Sequence, residues 1–358
     1  MEQLTQLTAD FSSTVWGLPL LVLLIGGGLY LLLRSRFETF RLIGHAFQVL
    51  SGKYDDPNDL GQITHFQALT TALSSTIGMG NIAGVAVAIS IGGPGAIFWL
   101  WVSAIVGMST KFFTSTLAIM YRGKDSAGEI QGGPMYFIME GLGKSWKPLA
   151  IMFSICGLVG ALPVFNVNQL TQAINDILLV PNGVEVGLAS NLTIGLILVS
   201  MTAVVILGGI ARISKIASKM VPSMVLLYFV AVFIILVVNI EVVPKYLAMI
   251  FTDAFAADNF KGDAFFGGLV GGLILLGVKR GAFSNEAGIG TAPLAHGAAK
   301  TNEPVREGLV AMLGPAIDTL LVCTLTALAI LVTGVWETSS DNGVSLTAAA
   351  FAAAIPGY

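Results

Sequence analysis

The chain has 358 residues, 55% of them hydrophobic and only 11% charged, with a mean hydropathy of +0.83 and a formal net charge of −3. Soluble domains carry about 25% charged residues, so the composition excludes a water-soluble globular protein and identifies an all-α polytopic membrane protein. The net charge itself says little, because in such proteins the placement of charge matters more than its sum; no nucleic-acid partner is expected.

In chain order, apolar spans are predicted at Val15–Leu33, Phe66–Ile91, Ala96–Tyr121, Pro148–Leu179, Leu192–Ile210, Val221–Ile240, Phe265–Ala295 and Leu309–Val335. A further one begins near Ser345. The acidic N-terminus (Glu2, Asp10) and the length of the first span argue against a cleavable signal peptide. Pro148–Leu179 and Phe265–Ala295 are long enough to imply tilt, extension or interruption.

Basic residues follow the odd-numbered spans. Arg34, Arg36, Arg41 and Lys53 follow the first, and Arg122, Lys124, Lys144 and Lys147 the third. Arg212, Lys215 and Lys219 follow the fifth, and Lys300 and Arg306 the seventh. The opposite loops hold only Lys245 and Lys261. The excess marks the cytoplasmic side of a plasma membrane and places the N-terminus outside.

The second span contains Leu73-Ser74-Ser75-Thr76-Ile77-Gly78-Met79-Gly80-Asn81-Ile82-Ala83-Gly84. Each Gly costs a helix about 1 kcal/mol relative to Ala, and an interrupted backbone survives in lipid only where protein buries it or it lines a cavity. Gly78 and Gly80 therefore suggest a helix broken in mid-membrane. The other reading is close helix packing through Gly80 and Gly84, spaced as GxxxG.

After the third span, Gln131-Gly132-Gly133-Pro134-Met135-Tyr136 leads into a short stretch ending at Gly141. Pro134 opens and Gly141 closes a short interfacial or re-entrant helix, or a simple surface helix. The loop Glu241–Asp263, with Asp253, Asp258 and Asp263, reads as a solvated connection.

The seventh span is interrupted by Gly277-Val278-Lys279-Arg280-Gly281-Ala282-Phe283-Ser284-Asn285-Glu286-Ala287-Gly288. Charges inside a span are costly unless paired or hydrated; a simple loop between two short segments is the alternative. Arg280, Glu286 and Asp318 are intramembrane ionisable groups on this topology, expected to be paired structurally or to act in gating. Lys111 is expected to snorkel toward the cytoplasm. Cys156 and Cys323 read as buried free thiols, and His45, His65 and His296 are scattered without ligand spacing.

Two interrupted spans in corresponding positions of two inverted halves point to a secondary transporter's binding site. Half-helix N-termini can hold a carboxylate, and freed carbonyls and hydroxyls can hold a small hard cation.

The run Gly92-Gly93-Pro94-Gly95-Ala96-Ile97-Phe98-Trp99-Leu100-Trp101-Val102-Ser103-Ala104-Ile105-Val106-Gly107 resembles the signature of the alanine/glycine:cation (sodium:alanine) symporter family, with Phe-Trp-Leu-Trp where Phe-Trp-Met-Trp is usual. The resemblance extends over nearly the whole chain. It includes Ile77–Gly84, Gly132–Tyr136, Ile206-Leu207-Gly208-Gly209-Ile210, Gly277–Gly288 and Ala316–Thr324. It implies an inverted-repeat (5+5) leucine-transporter-like fold preceded by one extra N-terminal span. The first repeat would occupy residues 65–240, after an N-terminal span and cytoplasmic linker over 1–64. An extracellular loop over 241–263 would separate it from a second repeat, incomplete in this chain, over 264–358. The function implied is sodium-coupled symport of small neutral amino acids, alanine or glycine, by alternating access, with sodium as coupling ion and no cofactor.

By the resemblance, the N–H groups near Gly78, Met79 and Gly80 hold the substrate carboxylate, and Thr76 lines the substrate site beside them. Thr76 and Asn81 offer oxygens to one sodium, and Ser74 and the Ile77 carbonyl to a second. Leu276 and Gly277 meet the substrate from the second broken span. Asn166 and Gln169, one turn apart on the fourth span, present amides to it or make interhelical hydrogen bonds. Phe165 and Met79 stand where relatives often have smaller side chains, which implies a small pocket and a preference for glycine. The family continues beyond the point reached at Tyr358, so the resemblance implies a fragment or truncated chain, with one sodium site and the far pocket wall beyond it. Proton coupling, and a channel or receptor on the same scaffold, are the alternatives. No nucleophile–base pair or metal-ligand cluster suggests an enzyme.

Overall fold

The computed structural model describes residues 2–126, 128–256 and 269–354. Among these, the regular elements are helices apart from a minimal hairpin, β1 Gly123–Lys124 against β2 Ile130–Gln131, and an isolated bridge between Ile63 and Ala299. Helix α1 is Glu2–Val15, α2 Leu18–Arg34 and α3 Ile43–Leu50. Then come α4 His65–Thr76, α5 Met79–Gly92 and α6 Gly95–Met120. After the hairpin follow α7 Pro134–Leu142, α8 Lys147–Gly160, α9 Val164–Ile174, α10 Leu188–Ile206 and α11 Gly209–Val238. The last elements are α12 Val243–Ala254, α13 Leu269–Asn285, α14 Ala292–His296, α15 Pro304–Val332 and α16 Val344–Ala354.

Among the described residues, five helices are long and apolar enough to cross a membrane, and six if α4 and α5, bent by 45°, count as one span. They form an inner and an outer set. The apolar windows of α6 and α15 are 61% and 72% buried inside the protein, whereas those of Lys144–Asn182 and α10 are 6% buried. Outward-facing side chains such as Leu158, Leu188, Leu196 and Leu207 are apolar and exposed. Apolar surface of that extent has no place in water; in a bilayer it is the natural exterior. This is a multi-pass membrane protein.

Helices gain little hydrophobic drive from packing on one another in lipid, so close approach through small residues carries more of the packing. The inner set shows this. A Cβ on Gly277 would stand 2.5 Å from Trp99 Cβ and 2.7 Å from the Ala96 carbonyl, and one on Gly281 2.7 Å from Ser103 Cβ. Gly308 meets α6 in the same way, 2.7 Å from the Phe112 carbonyl. Glycine at these positions lets α13 and α15 lie directly on α6.

Several sequence expectations are corrected. The interruption expected from Gly277 is absent: α13 runs unbroken to Asn285, and the chain leaves it at Glu286 (φ 53°), Gly288 (φ 90°) and Gly290 (φ 97°) before α14. The start of that span, before Leu269, lies outside the described residues. Arg212, Lys215 and Lys219 are not in a loop but in the first turns of α11, because Leu207-Gly208 makes the turn. The segment after Ile240 is more than a solvated connection. It forms α12, buries Tyr246, Ile250 and Ala254, and sends Asp253 Oδ2 to accept from the Gly95 N–H at 2.7 Å, capping α6. Asp258 and Asp263 lie outside the described residues. Lys111 does not snorkel; it is only 2% exposed. Cys323 is buried, but Cys156 is exposed on α8.

Other expectations hold. α7 begins at Pro134 and ends one residue past Gly141, with Gly143 in the left-handed region at φ 97°. The long fourth span is interrupted at Ala161–Pro163.

Candidate functional site

The first break has a well-defined start and end. Thr64 opens α4 with a capping box: its hydroxyl accepts from the Gln67 N–H at 3.2 Å, and Gln67 Oε1 accepts from the Thr64 N–H at 3.0 Å. The helix stops when Ile77 turns extended (φ −79°, ψ 109°), and α5 restarts at Met79. Gly80 and Gly84 are not packing glycines. A Cβ on Gly84 would meet nothing within 4 Å, and one on Gly80 only Phe283 at 3.7 Å. The broken-helix reading therefore prevails over the GxxxG reading.

The break exposes both kinds of backbone group. The N–H groups of Met79 and Gly80, at the start of α5, have no partner within that helix. The carbonyls of Ser74 to Thr76 have none further along α4, and the Ile77 carbonyl accepts no backbone hydrogen bond among the described residues. Thr76 Oγ1 donates to the Leu73 carbonyl and Ser74 Oγ to the Thr71 carbonyl, which leaves the lone pairs of both hydroxyls open.

Asn81 is the hinge of the arrangement. The Gly78 N–H donates to its Oδ1 at 3.0 Å, which fixes the orientation of the amide. Its Nδ2 then donates to Asp318 Oδ1 at 2.6 Å and to the Asp318 carbonyl at 3.2 Å. Ser284 Oγ and Thr319 Oγ1 donate to Asp318 Oδ2 at 2.8 and 2.7 Å, and Asn285 Nδ2 donates to Thr319 Oγ1 at 3.2 Å. Asp318 is wholly buried and lies in a π-helical stretch, Ala316–Cys323, within α15. Such wide turns frequently mark functional sites.

The turn after α13, at Glu286–Gly290, is the second break, and it approaches the first. Ser75 Oγ of α4 lies 3.4 Å from Glu286 Oε2, and Thr291 Oγ1 donates to the same oxygen. Arg280, Glu286 and Asp318 do not form the ion-pair network expected from sequence. Among the described residues, both carboxylates are held by neutral donors, and no ion pair joins Arg280 to either. Lys111 is buried in the same region, and the carboxylates that act on it electrostatically are Glu286 and Asp318.

Apolar side chains close one side. Phe283 faces Gly80, and the Phe165 ring meets Phe283 edge-on with centroids 5.2 Å apart. Asn166, next to Phe165, has a buried Oδ1 without a hydrogen-bond partner among the described residues. Gln169 is already engaged: Oε1 accepts from the Val344 N–H at 3.2 Å, and Nε2 donates to Asn168 and Gln172. Leu276 and Gly277 stand about two turns of α13 before Phe283 and Ser284. Leu276 instead borders a separate cavity of about 650 Å³, with Gly92, Asp253, Lys279 and Trp336. It is Phe283 and Ser284 that reach the first break, and sequence reasoning did not single them out.

The model of the sodium:alanine symporter family matches residues 1–358. The sodium/alanine symporter AgcS of Methanococcus maripaludis is 45% identical over 350 residues, covering 96% of this chain and 75% of the relative. An uncharacterized transporter of Haemophilus influenzae is 42% identical over 350 residues, covering 95% and 72%. The probable sodium/glutamine symporter GlnT of Bacillus subtilis is 37% identical over 336 residues, covering 94% and 67%.

Proposed function

Since the chain belongs to the sodium:alanine symporter family, whose members are transporters and not enzymes, we propose that it couples inward movement of a small neutral amino acid, alanine or glycine, to the sodium gradient. The observation that carries this reading is the break at Ile77-Gly78. There a helix start with two unused N–H groups faces the Phe165–Phe283 wall.

In this reading the partial positive charge at the start of α5 and the N–H groups of Met79 and Gly80 take the substrate carboxylate. The Asn166 Oδ1, without a partner among the described residues, accepts a hydrogen bond from the ammonium group. Sodium binds on the other side of the break: Thr76 and Asn81 offer oxygens to one sodium, and Ser74 and the Ile77 carbonyl to a second. Asn81 Oδ1 accepts from Gly78 and keeps a second lone pair for a cation. The names of relatives support the substrate class: one is a sodium/alanine and another a probable sodium/glutamine symporter. Phe165, Phe283 and Met79 restrict the volume, which favours the smaller amino acids.

The fold we assign is the inverted-repeat one. One extra span and a linker (1–64) precede a first repeat over 65–240, and a second repeat starts at 264. The N-terminus lies outside and the basic ends of α2, α6 and α11 inside. The Asn81–Asp318 contact joins the first broken helix to α15, and the Ser75–Glu286 contact joins it to the turn after α13. Alternating access would rock this joined unit against the remaining spans.

The test is sodium-dependent counterflow of labelled alanine and glycine by the full-length protein in liposomes. Exchange that requires sodium is expected. Exchange equally fast in potassium or choline would refute the coupling, and binding without exchange would indicate a receptor.

A further inference from the structure

Glu307, in the first turn of α15, is wholly buried, and each of its carboxylate oxygens meets an imidazole. Oε2 pairs with Nδ1 of His65 and Oε1 with Nδ1 of His296, the latter at 2.5 Å. His65 is the first residue of the first broken helix, and His296 closes the short helix after the second break. Around them the backbone is zipped. The Thr301 N–H donates to the Leu60 carbonyl at 3.1 Å, the Gln62 N–H to the Ala298 carbonyl at 2.8 Å and the Lys300 N–H to the Ile63 carbonyl at 2.7 Å. The Arg122 guanidinium covers the junction, donating to the carbonyls of Leu60, Gly297, Ala299 and Thr301.

The hydrogen positions follow from the acceptor. An ionised carboxylate only accepts, so both Nδ1 atoms carry hydrogen, and each neutral ring has a bare Nε2. The two Nε2 atoms differ. That of His296 is buried without a hydrogen-bond partner among the described residues. Protonating it would bury an N–H with no acceptor, which is unfavourable. That of His65 lies 3.9 Å from Asp55 Oδ1, on a side chain 40% exposed. The remaining charged groups acting on His65 and Glu307 are Arg306 on the same turn of α15 and Arg122; Asp59 acts on Arg122.

We propose that His65 is a proton-binding site. One proton from solvent, admitted past Asp55, adds to Nε2. The resulting imidazolium lies between Asp55 and Glu307, and the group of Glu307 with its two rings passes from one negative charge to none. His296 serves as a hydrogen-bond donor to Glu307 through Nδ1. Because His65 and the 60–63 segment tie the entry of the first broken helix to the exit of the second, the charged form adds an ion pair on each side of that junction and tightens it. The site is distinct from the break at Ile77-Gly78, and the proposal holds whatever the protein carries.

The chain has three histidines, His45, His65 and His296, so ring-¹⁵N-histidine NMR of the full chain in lipid nanodiscs resolves them individually. His45→Gln and His296→Gln identify the signals. Titrated from pH 9 to pH 5, His65 is expected to pass from neutral to imidazolium. Asp55→Asn, an exposed loop substitution that leaves the buried pairs intact, should lower the His65 midpoint by about one pH unit. A His65 ring that stays neutral to pH 5, or a midpoint indifferent to Asp55→Asn, would overturn the assignment.

Discussion

Asn81 Nδ2 stands 2.6 Å from Asp318 Oδ1 although the two residues are 237 positions apart. The contact ties the first broken helix to the π-helical stretch of α15. It also turns the amide so that its oxygen stays at the break. A carboxylate buried with three side-chain donors thus acts as a positioning group for a residue proposed to hold sodium.

Asn81→Ala should weaken sodium binding, and amino-acid binding with it, because coupling between two ligands is reciprocal. It also deprives the buried Asp318 of a donor, at about 1–3 kcal/mol. Isothermal titration of substrate at several sodium concentrations, alongside thermal denaturation, separates the two effects. If sodium still enhances substrate affinity by the wild-type factor, Asn81 is not a ligand.

Glu286→Gln should impair folding or the transport cycle and leave no variant normal in both. Glu286 holds a left-handed backbone conformation and accepts from Thr291 while facing Ser75 across the two breaks. Its amide would keep one acceptor oxygen but add an N–H₂ group among hydroxyls. Melting temperature and exchange rate measured on the same preparation decide this; wild-type values for both would dismiss a role.

Gly277→Ala should destabilise the protein by about 1–3 kcal/mol, since overpacking forces neighbours off their minima and the new methyl would lie 2.5 Å from Trp99 Cβ. Gly84→Ala, with nothing within 4 Å, should be tolerated. Thermal denaturation in detergent compares the pair. Equal effects would contradict the packing described for α13 on α6.

Phe165→Gly, Phe283→Ala and Met79→Thr should each improve alanine, or a larger amino acid, relative to glycine. One methylene in an apolar pocket discriminates by about 1–3 kcal/mol. Competition binding gives the ratio directly. An alanine-to-glycine ratio unmoved by all three would remove these side chains from the pocket.

The first break was legible because its composition is wrong for a helix and right for an ion site: hydroxyls, two glycines and an amide within eight residues, Ser74 to Asn81. The second was misplaced because glycine carries two meanings in a membrane helix. Gly277 and Gly281 look like interruptions, yet both sit inside a continuous helix where they admit the backbone of α6. The chain actually turns at Glu286, where the non-glycine left-handed residue gives no local signal. Lys111 read as a snorkelling side chain because its burial depends on α15, far along the chain. The His65–Glu307–His296 group was invisible for the same reason. Its members are 242 and 11 residues apart and share no spacing rule. What periodicity and composition convey is the existence of spans; which polar groups meet between them is decided by tertiary packing.

The most direct test of the central claim is uptake of labelled alanine into liposomes holding the full-length protein, with an imposed inward sodium gradient, equal pH on both sides and the membrane potential clamped. The account predicts accumulation above the external concentration that collapses when sodium is equalised and is lost in Asn81→Ala. Accumulation that persists without a sodium gradient, or that appears only with a pH gradient, would contradict it.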